Sequence, residues 1–270
     1  MKKVIKLVNK ENNTVQVTTQ DERWYTTIEN NEVTGLPEVR FIPSVTWICD
    51  SYPKGIPFYK WLADKGWDEA EALKEAAGER GSKVHSAIEK LIAGFEVKID
   101  DKFLNPKTDQ EEELNADEYE AIVSFANWFN EVKPRVLANE IPIVSKEYNF
   151  AGTIDFVCEI DGKIWIVDFK TGQNTWPSHE LQLSAYKNAY GQNIDGLAIL
   201  QVGYKRNKAG WKWNEMEDKF DVFLATRMIW QNDHGDEKPK QKDYPMKVKL
   251  VDTKSEEIKT EVKTKKSIKK

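Results

Sequence analysis

The stretch Ala151–Gly172, AGTIDFVCEIDGKIWIVDFKTG, holds two runs rich in β-branched and aromatic residues, Thr153 to Ile160 and Lys163 to Lys170, on either side of Asp161-Gly162. That dipeptide is the strongest short-range signal for a two-residue type I′ hairpin, because both central positions need positive φ. With Asp161 and Gly162 as the loop, Ile160 falls opposite Lys163, Val157 opposite Ile166, and Asp155 opposite Asp168. Directly opposed residues hold their Cβ atoms roughly 4.5–5.5 Å apart, and like charges there are destabilising. A cation is therefore expected beside the two acids. Lys170, two residues past Asp168, lies on the same face of the strand. Trp165, Val167 and Phe169 point to the other face and are assigned to the core. A surface hairpin carrying an ion pair is the alternative. Against it, the acids stand at the apolar end of the strands, where unpaired charge is costly. A hard divalent cation bound through oxygen, Mg²⁺ or Mn²⁺, would remove that cost.

The chain has 270 residues, 40% of them hydrophobic, enough for one large domain with a real core. No run reaches the ~18 apolar residues of a membrane span and the N-terminus lacks a signal-peptide core, so a soluble, cytoplasmic protein with no membrane partner is expected. Cys49 and Cys158 are far apart and show no metal-binding spacing, which leaves a disulfide framework, a zinc site and a four-cysteine iron–sulfur cluster unsupported. No G-x-x-x-x-G-K-[ST] loop is present, so no ATP-driven motor is expected. The net charge of −5 conceals an asymmetry: residues 238–270 carry twelve Lys against five Asp and Glu, and the remainder carries 28 basic and 40 acidic residues. That basic tail is expected to be disordered. Its attraction to a polyanion and a solvated tail without function both remain open.

Residues 1–50 alternate short β-rich runs with Asn, Asp and Gly clusters, which predicts a β-meander packed on the core and ending at Ile42 to Thr46. A core over 51–237 follows. Its elements are a short helix from Phe58 to Lys65 and a longer one from Asp68 to Ala93, with Gly78 and Gly81 as candidate breaks. Val84, Ile88, Leu91 and Ile92 form its buried stripe. Residues 100–117 read as an exposed acidic insertion, and Ala116 to Lys133 as an amphipathic helix closed by Pro134. Val136 to Tyr148 supplies a strand pair or one bent strand leading into the hairpin. Then come a helix from His179 to Tyr190, a strand from Ile194 to Tyr204 and a last helix from Glu217 to Asn232. That order gives an α/β fold with a mixed central sheet flanked by helices.

Several side chains could join Asp155, Asp168 and Lys170. His85 can complete a Mg²⁺ or Mn²⁺ shell, although alone it is more often a satisfied helix histidine. Glu89, four residues on, shares its neighbourhood on the helix. Gln182 and Tyr186, at i and i+4, put an amide and a phenol on one helical face, able to donate to an anion or to form ordinary polar surface. The stretch Tyr204 to Trp213 interleaves cations with aromatics, as single-stranded nucleic acid binding requires. An exposed hairpin tip whose Trp residues anchor it to the body explains it equally well. Trp176 likewise suits a base-stacking role or packing beneath its loop.

Taken together, GSKVHSAIE around His85, Gly152-Thr-Ile-Asp155, Asp168-Phe-Lys170-Thr-Gly and Gln182-Leu-Ser-Ala-Tyr186 occur in the order and spacing of the RecB-type branch of the PD-(D/E)XK nucleases. Pro43-Ser-Val-Thr46 resembles the same segment in relatives of the mitochondrial genome maintenance exonuclease. The resemblance spans roughly Ile42 to Tyr190 and implies a restriction-endonuclease-like core and a Mg²⁺- or Mn²⁺-dependent DNA exonuclease. It further implies that Asp155 and Asp168 bind metal, with the Phe169 carbonyl and His85 as additional ligands. Lys170 would activate water or stabilise charge on the phosphate, and Gln182 and Tyr186 would contact substrate. Glu140 and Glu147 stand where relatives often carry acids. Ile154 replaces the proline of the superfamily's name. Single-stranded DNA is the expected substrate, in replication, recombination or repair within a bacterial or phage-infected cell, with proteins of those processes as partners. The alternatives are a duplex-end exonuclease, a structure-specific endonuclease of recombination, a catalytically silent nucleic-acid-binding module, and an α/β scaffold whose basic tail binds partners.

Overall fold

Asp161 (φ 51°) and Gly162 (φ 76°) adopt the left-handed conformations that their turn requires. The strands they join pair in the expected register, Ile160 with Lys163 and Val157 with Ile166. The structure, a computed structural model, describes residues 4–9, 14–18, 22–30, 34–105 and 108–235. The basic segment 238–270 lies outside the described residues. In chain order the elements are β1 (Val4–Asn9), β2 (Thr14–Thr18), β3 (Arg23–Asn30), β4 (Pro37–Pro43), α1 (Val45–Asp50), α2 (Ile56–Lys65) and α3 (Trp67–Ile92). Next come β5 (Lys102–Asn105), β6 (Gln110–Glu113), α4 (Ala116–Val132), β7 (Arg135–Ser145), β8 (Phe150–Ile160) and β9 (Lys163–Lys170). The series ends with α5 (Pro177–Tyr190), β10 (Gly196–Val202), β11 (Trp211–Met216) and α6 (Phe220–His234).

The central sheet has the order β11-β10-β9-β8-β7 and is mixed, β9 and β10 being parallel and the other neighbours antiparallel. A parallel pair needs a crossover, and α5 is that crossover. Both faces are covered, as a mixed α/β sheet demands. On one face Ile48 of α1, Leu181 and Leu183 of α5 and Phe223 and Trp230 of α6 pack on Val157, Ile166 and Ile199. On the other, Val84 and Ile88 of α3 and Ile122, Phe125 and Trp128 of α4 pack on Phe156, Val167, Phe169 and Leu200.

β1 to β4 form an antiparallel meander. It is tied to the central sheet by a bridge between Ser44 and Ala151 and a hydrogen bond from Arg40 to Asn149 Oδ1 at 2.8 Å. Trp24 of β3 reaches into the first core, edge-on to Trp47 and Trp230 at 5.0 and 6.1 Å.

The structure departs from the sequence reading in four places. The ladder between β8 and β9 keeps the expected register but ends at Phe156 and Val167, one pair short of Asp155 and Asp168. The Asp155 carboxylate instead accepts the Phe169 N–H at 2.9 Å, replacing a ladder bond. α3 runs unbroken through Gly78 and Gly81. Each glycine costs about 1 kcal/mol against Ala, which the surrounding Ala, Glu, Lys and Arg offset. Within the expected irregular insertion β5 and β6 pair as antiparallel strands, with Phe103 packed into the second core and Asn105 donating to Glu79 and Glu112. Finally, α1 begins where the meander was expected to end. Ser44 caps it, its hydroxyl accepting the Trp47 N–H at 3.1 Å.

Candidate active site

The end of β8 and β9 that carries Asp155, Asp168 and Lys170 opens into a cleft of about 250 Å³ that also receives side chains from α3, β7, α5 and the first sheet. His85 comes from α3, which the buried Val84, Ala87 and Ile88 hold against the sheet. Its Nε2–H donates to the Phe169 carbonyl at 2.9 Å, which leaves Nδ1 facing Asp155 Oδ2 at 3.6 Å. A backbone carbonyl that takes one ring nitrogen and turns the other towards a site is the usual way to orient a metal-binding imidazole. Asp155 is thus engaged on two sides, by His85 and by the Phe169 N–H.

Glu140 is the residue that sequence reasoning undervalued. It lies in the middle of β7 with φ 48°, while its neighbours keep register, Asn139 with Phe156 and Ile141 with Ile154. Holding a non-glycine residue in this conformation costs on the order of 1–3 kcal/mol, and such strain gathers at functional sites. The local turn brings its carboxylate to Asp155. One donor atom from each of His85, Glu140 and Asp155 lies within 4.8 Å of the others. Two carboxylates and an imidazole fit a Mg²⁺ or Mn²⁺ ion, since hard oxygen donors predominate. Glu147, which the sequence placed level with Glu140, lies in the turn after β7, and Glu89 is exposed on α3.

Asp168 and Lys170 form the opposite wall. Asp168 is 2% exposed, and Lys170 Nζ stands 2.6 Å from its Oδ2. Burial opposes the charge on Lys170, but Asp168 and Asp155 outweigh it and raise its pKa, so it remains an ammonium. Burial likewise opposes ionisation of Asp155, yet the His85 and Lys170 charges and the Phe169 N–H hold its pKa below the ordinary carboxylate value. For His85, burial disfavours the cation and Asp155 favours it, with a net rise to about 9.

Gln182 and Tyr186 complete the floor. Gln182 Nε2 donates to the Tyr186 oxygen at 2.9 Å, leaving the phenol proton to point elsewhere, and burial lifts the Tyr186 pKa well above its ordinary value. The Tyr186 ring packs against Gly152, where a Cβ would stand 2.5 Å from the ring edge. This explains the glycine of Gly152-Thr-Ile-Asp155: it admits the ring. Gly152→Ala is therefore expected to displace Tyr186 and cost about 1–3 kcal/mol of stability. Urea unfolding of the variant measures this, and an unchanged midpoint would mean that the ring relocates freely.

The remaining wall comes from β2 and β3. Gln16 Nε2 donates to the Tyr25 oxygen at 2.8 Å, and the Tyr25 and Thr153 hydroxyls are 3.2 Å apart. Arg23 lines the same cleft. Nothing in the sequence flagged these residues.

The cation- and aromatic-rich stretch resolves into the hairpin between β10 and β11. Trp211 and Trp213 pack on the second core, Trp213 stacking on Trp128 at 5.9 Å, so their rings anchor the hairpin. Arg206 and Lys212 sit over the Tyr204 ring at 6.0 and 5.7 Å. Trp176 is 50% exposed at the start of α5.

A model of the PD-(D/E)XK nuclease superfamily matches residues 58–263, a range that takes in the whole central sheet and α3 to α6. No curated protein matches the chain.

Proposed function

Since the chain belongs to the PD-(D/E)XK nuclease superfamily, we propose that it is a Mg²⁺- or Mn²⁺-dependent exonuclease that hydrolyses phosphodiester bonds of single-stranded DNA. The observation that carries this reading is the meeting, in one cleft, of the His85, Glu140 and Asp155 donors with the Asp168–Lys170 pair. His85 through Nδ1, Glu140 and Asp155 would hold the divalent ion. When bound, such an ion lowers the pKa of a coordinated water and acts as a Lewis acid towards a phosphate oxygen.

The chain's own residues do the rest. The Phe169 carbonyl fixes the imidazole, and its N–H fixes Asp155. Asp168 holds the Lys170 ammonium at the cleft, and a positive charge there stabilises the negative charge that develops on the phosphate. Asp168 and the Phe169 carbonyl, the other two ligands implied by resemblance, serve in this reading first as partners of Lys170 and His85. Tyr186, its oxygen occupied by Gln182, donates its proton towards a phosphate oxygen. The first sheet closes one side of the cleft, which favours a single strand over a duplex. Replication, recombination or repair is the physiological setting proposed for this activity.

The substrate form is tested with end-labelled single-stranded, duplex and branched DNA in Mg²⁺, Mn²⁺ or EDTA. Stepwise shortening of the single strand alone, abolished by EDTA, is expected. Internal cuts, or a preference for duplex ends, would replace the exonuclease reading with another activity of the superfamily. The metal set is tested separately. Glu140→Gln is expected to weaken Mn²⁺ binding at least about tenfold, since losing even an indirect ligand partner costs 10–100-fold. Calorimetric titration measures it, and unchanged affinity would remove Glu140 from the set.

A further inference from the structure

We propose that Arg23, on β3 of the first sheet, grips a phosphate of the bound strand next to the one being cut, and so sets where the strand lies in the cleft. The inference rests on the nuclease reading above and extends it to a part of the chain that the superfamily match, beginning at residue 58, does not include.

Arg23 shares the cleft with Asp155, Asp168 and Lys170. It is close enough to Lys170 for its charge to oppose that of the ammonium. Two like charges converge there, and of the acids that line the cleft Glu140 belongs to the donor set proposed for the metal, while the other two have partners. Asp168 is paired with Lys170, and Asp155 is held by His85 and the Phe169 N–H. Among the described residues no ion pair or side-chain hydrogen bond engages Arg23. A half-buried guanidinium without a carboxylate is costly unless an anion completes it. The fork of N–H donors matches a phosphate in bidentate fashion, which a lysine cannot reproduce.

The backbone that carries Arg23 is fixed on both sides. The Arg23 carbonyl accepts the Ser44 N–H at 2.9 Å. The next two residues, Trp24 and Tyr25, are 2% and 3% exposed, and the Tyr25 hydroxyl is bonded to Thr153 on the strand of Asp155. A guanidinium on so firm a base can set the register of a strand relative to the site.

The test pairs Arg23→Gln and Arg23→Lys with a set of single-stranded oligonucleotides in which one linkage at a time is a neutral methylphosphonate. For the wild-type protein one linkage beside the scissile one is expected to be sensitive, its neutralisation raising KM about 10- to 100-fold, the range for a charge-assisted hydrogen bond. Arg23→Gln is expected to raise KM by the same factor on unmodified DNA and to be indifferent to that linkage, with kcat much less affected. Arg23→Lys recovers part of the loss. Arg23→Gln with wild-type KM, or a variant as sensitive to every methylphosphonate as the wild type, would overturn the proposal. Fluorescence anisotropy of a labelled oligonucleotide in EDTA separates the two readings. An inert wild type that binds DNA in an Arg23-dependent way sinks the nuclease reading alone. Cleavage with Arg23 dispensable sinks this inference alone.

Discussion

Asp155→Asn protein is expected to cleave single-stranded DNA at least about 10³-fold more slowly than the wild type, the scale on which metal and charge stabilisation act in hydrolysis. Asparagine is nearly isosteric with aspartate. Its carbonyl oxygen can still accept the Phe169 N–H that Asp155 takes at 2.9 Å, so the end of the β8–β9 ladder is kept. What disappears is the charge that faces His85 Nδ1 at 3.6 Å and joins Glu140 in the donor set. The surroundings hold the Asp155 pKa below its ordinary value, so loss of the charge should lower the melting temperature, while the retained Phe169 N–H bond keeps the protein folded. Single-turnover rates and a thermal melt on the same preparation check both halves. A fully active variant would show that the donor set has been misassigned.

The largest expected effect on stability belongs to a pair outside the cleft. Lys83 of α3 and Glu118 of α4 form an ion pair at 2.9 Å with side chains 7% and 3% exposed. Glu118 also accepts the Asn115 N–H that starts α4. Lys83→Met leaves that carboxylate buried without its cation, which costs about 3–5 kcal/mol. For a chain of this size that lowers the melting temperature by roughly 10 °C. Lys83→Met with Glu118→Gln keeps the cap, removes the stranded charge and should regain most of the loss. Lys83 lies two residues before His85, so the pair also fixes the helix that presents the imidazole. Equal destabilisation by the single and double variants would show that packing, not charge, dominates at this contact.

The hairpin was legible because Asp161-Gly162 permits one turn type and alternation then sets the register as far as Phe156 and Val167. The mixed sheet with helices on its faces followed from the order of the elements. Beyond Phe156, legibility failed for a local reason. A side-chain oxygen of Asp155 substitutes for a backbone acceptor, and hydrophobic alternation carries no trace of that exchange. The donor set was legible in part. His85 and Asp155 sit in recognisable motifs, whereas Glu140 reaches the cleft only through a left-handed backbone inside a strand, and side-chain chemistry does not announce strain. Arg23 and Tyr25 were invisible for another reason: they arrive by the packing of one sheet on another, a contact between segments distant in sequence. α1 escaped because it spans only Val45–Asp50 and opens on β-branched residues with a single capping serine. The pairing of β5 with β6 escaped because β5 has only four residues and β6 is almost wholly acidic, and the Asn105 side chain, bonded to Glu79 and Glu112, holds what alternation does not. Trp211 and Trp213 looked suited to stacking on bases, but two residues apart on a strand share a face, and that face covers the second core.

The most direct test of metal-dependent cleavage at this cleft is a Mn²⁺ titration in which bound ion is counted by electron paramagnetic resonance while an end-labelled single-stranded oligonucleotide is cut in the same samples. Rate and occupancy are expected to rise together, to vanish together in EDTA, and to shift together to higher Mn²⁺ in Glu140→Gln. Cleavage that persists in EDTA, or Mn²⁺ bound equally well by Asp155→Asn and the wild type, would contradict it.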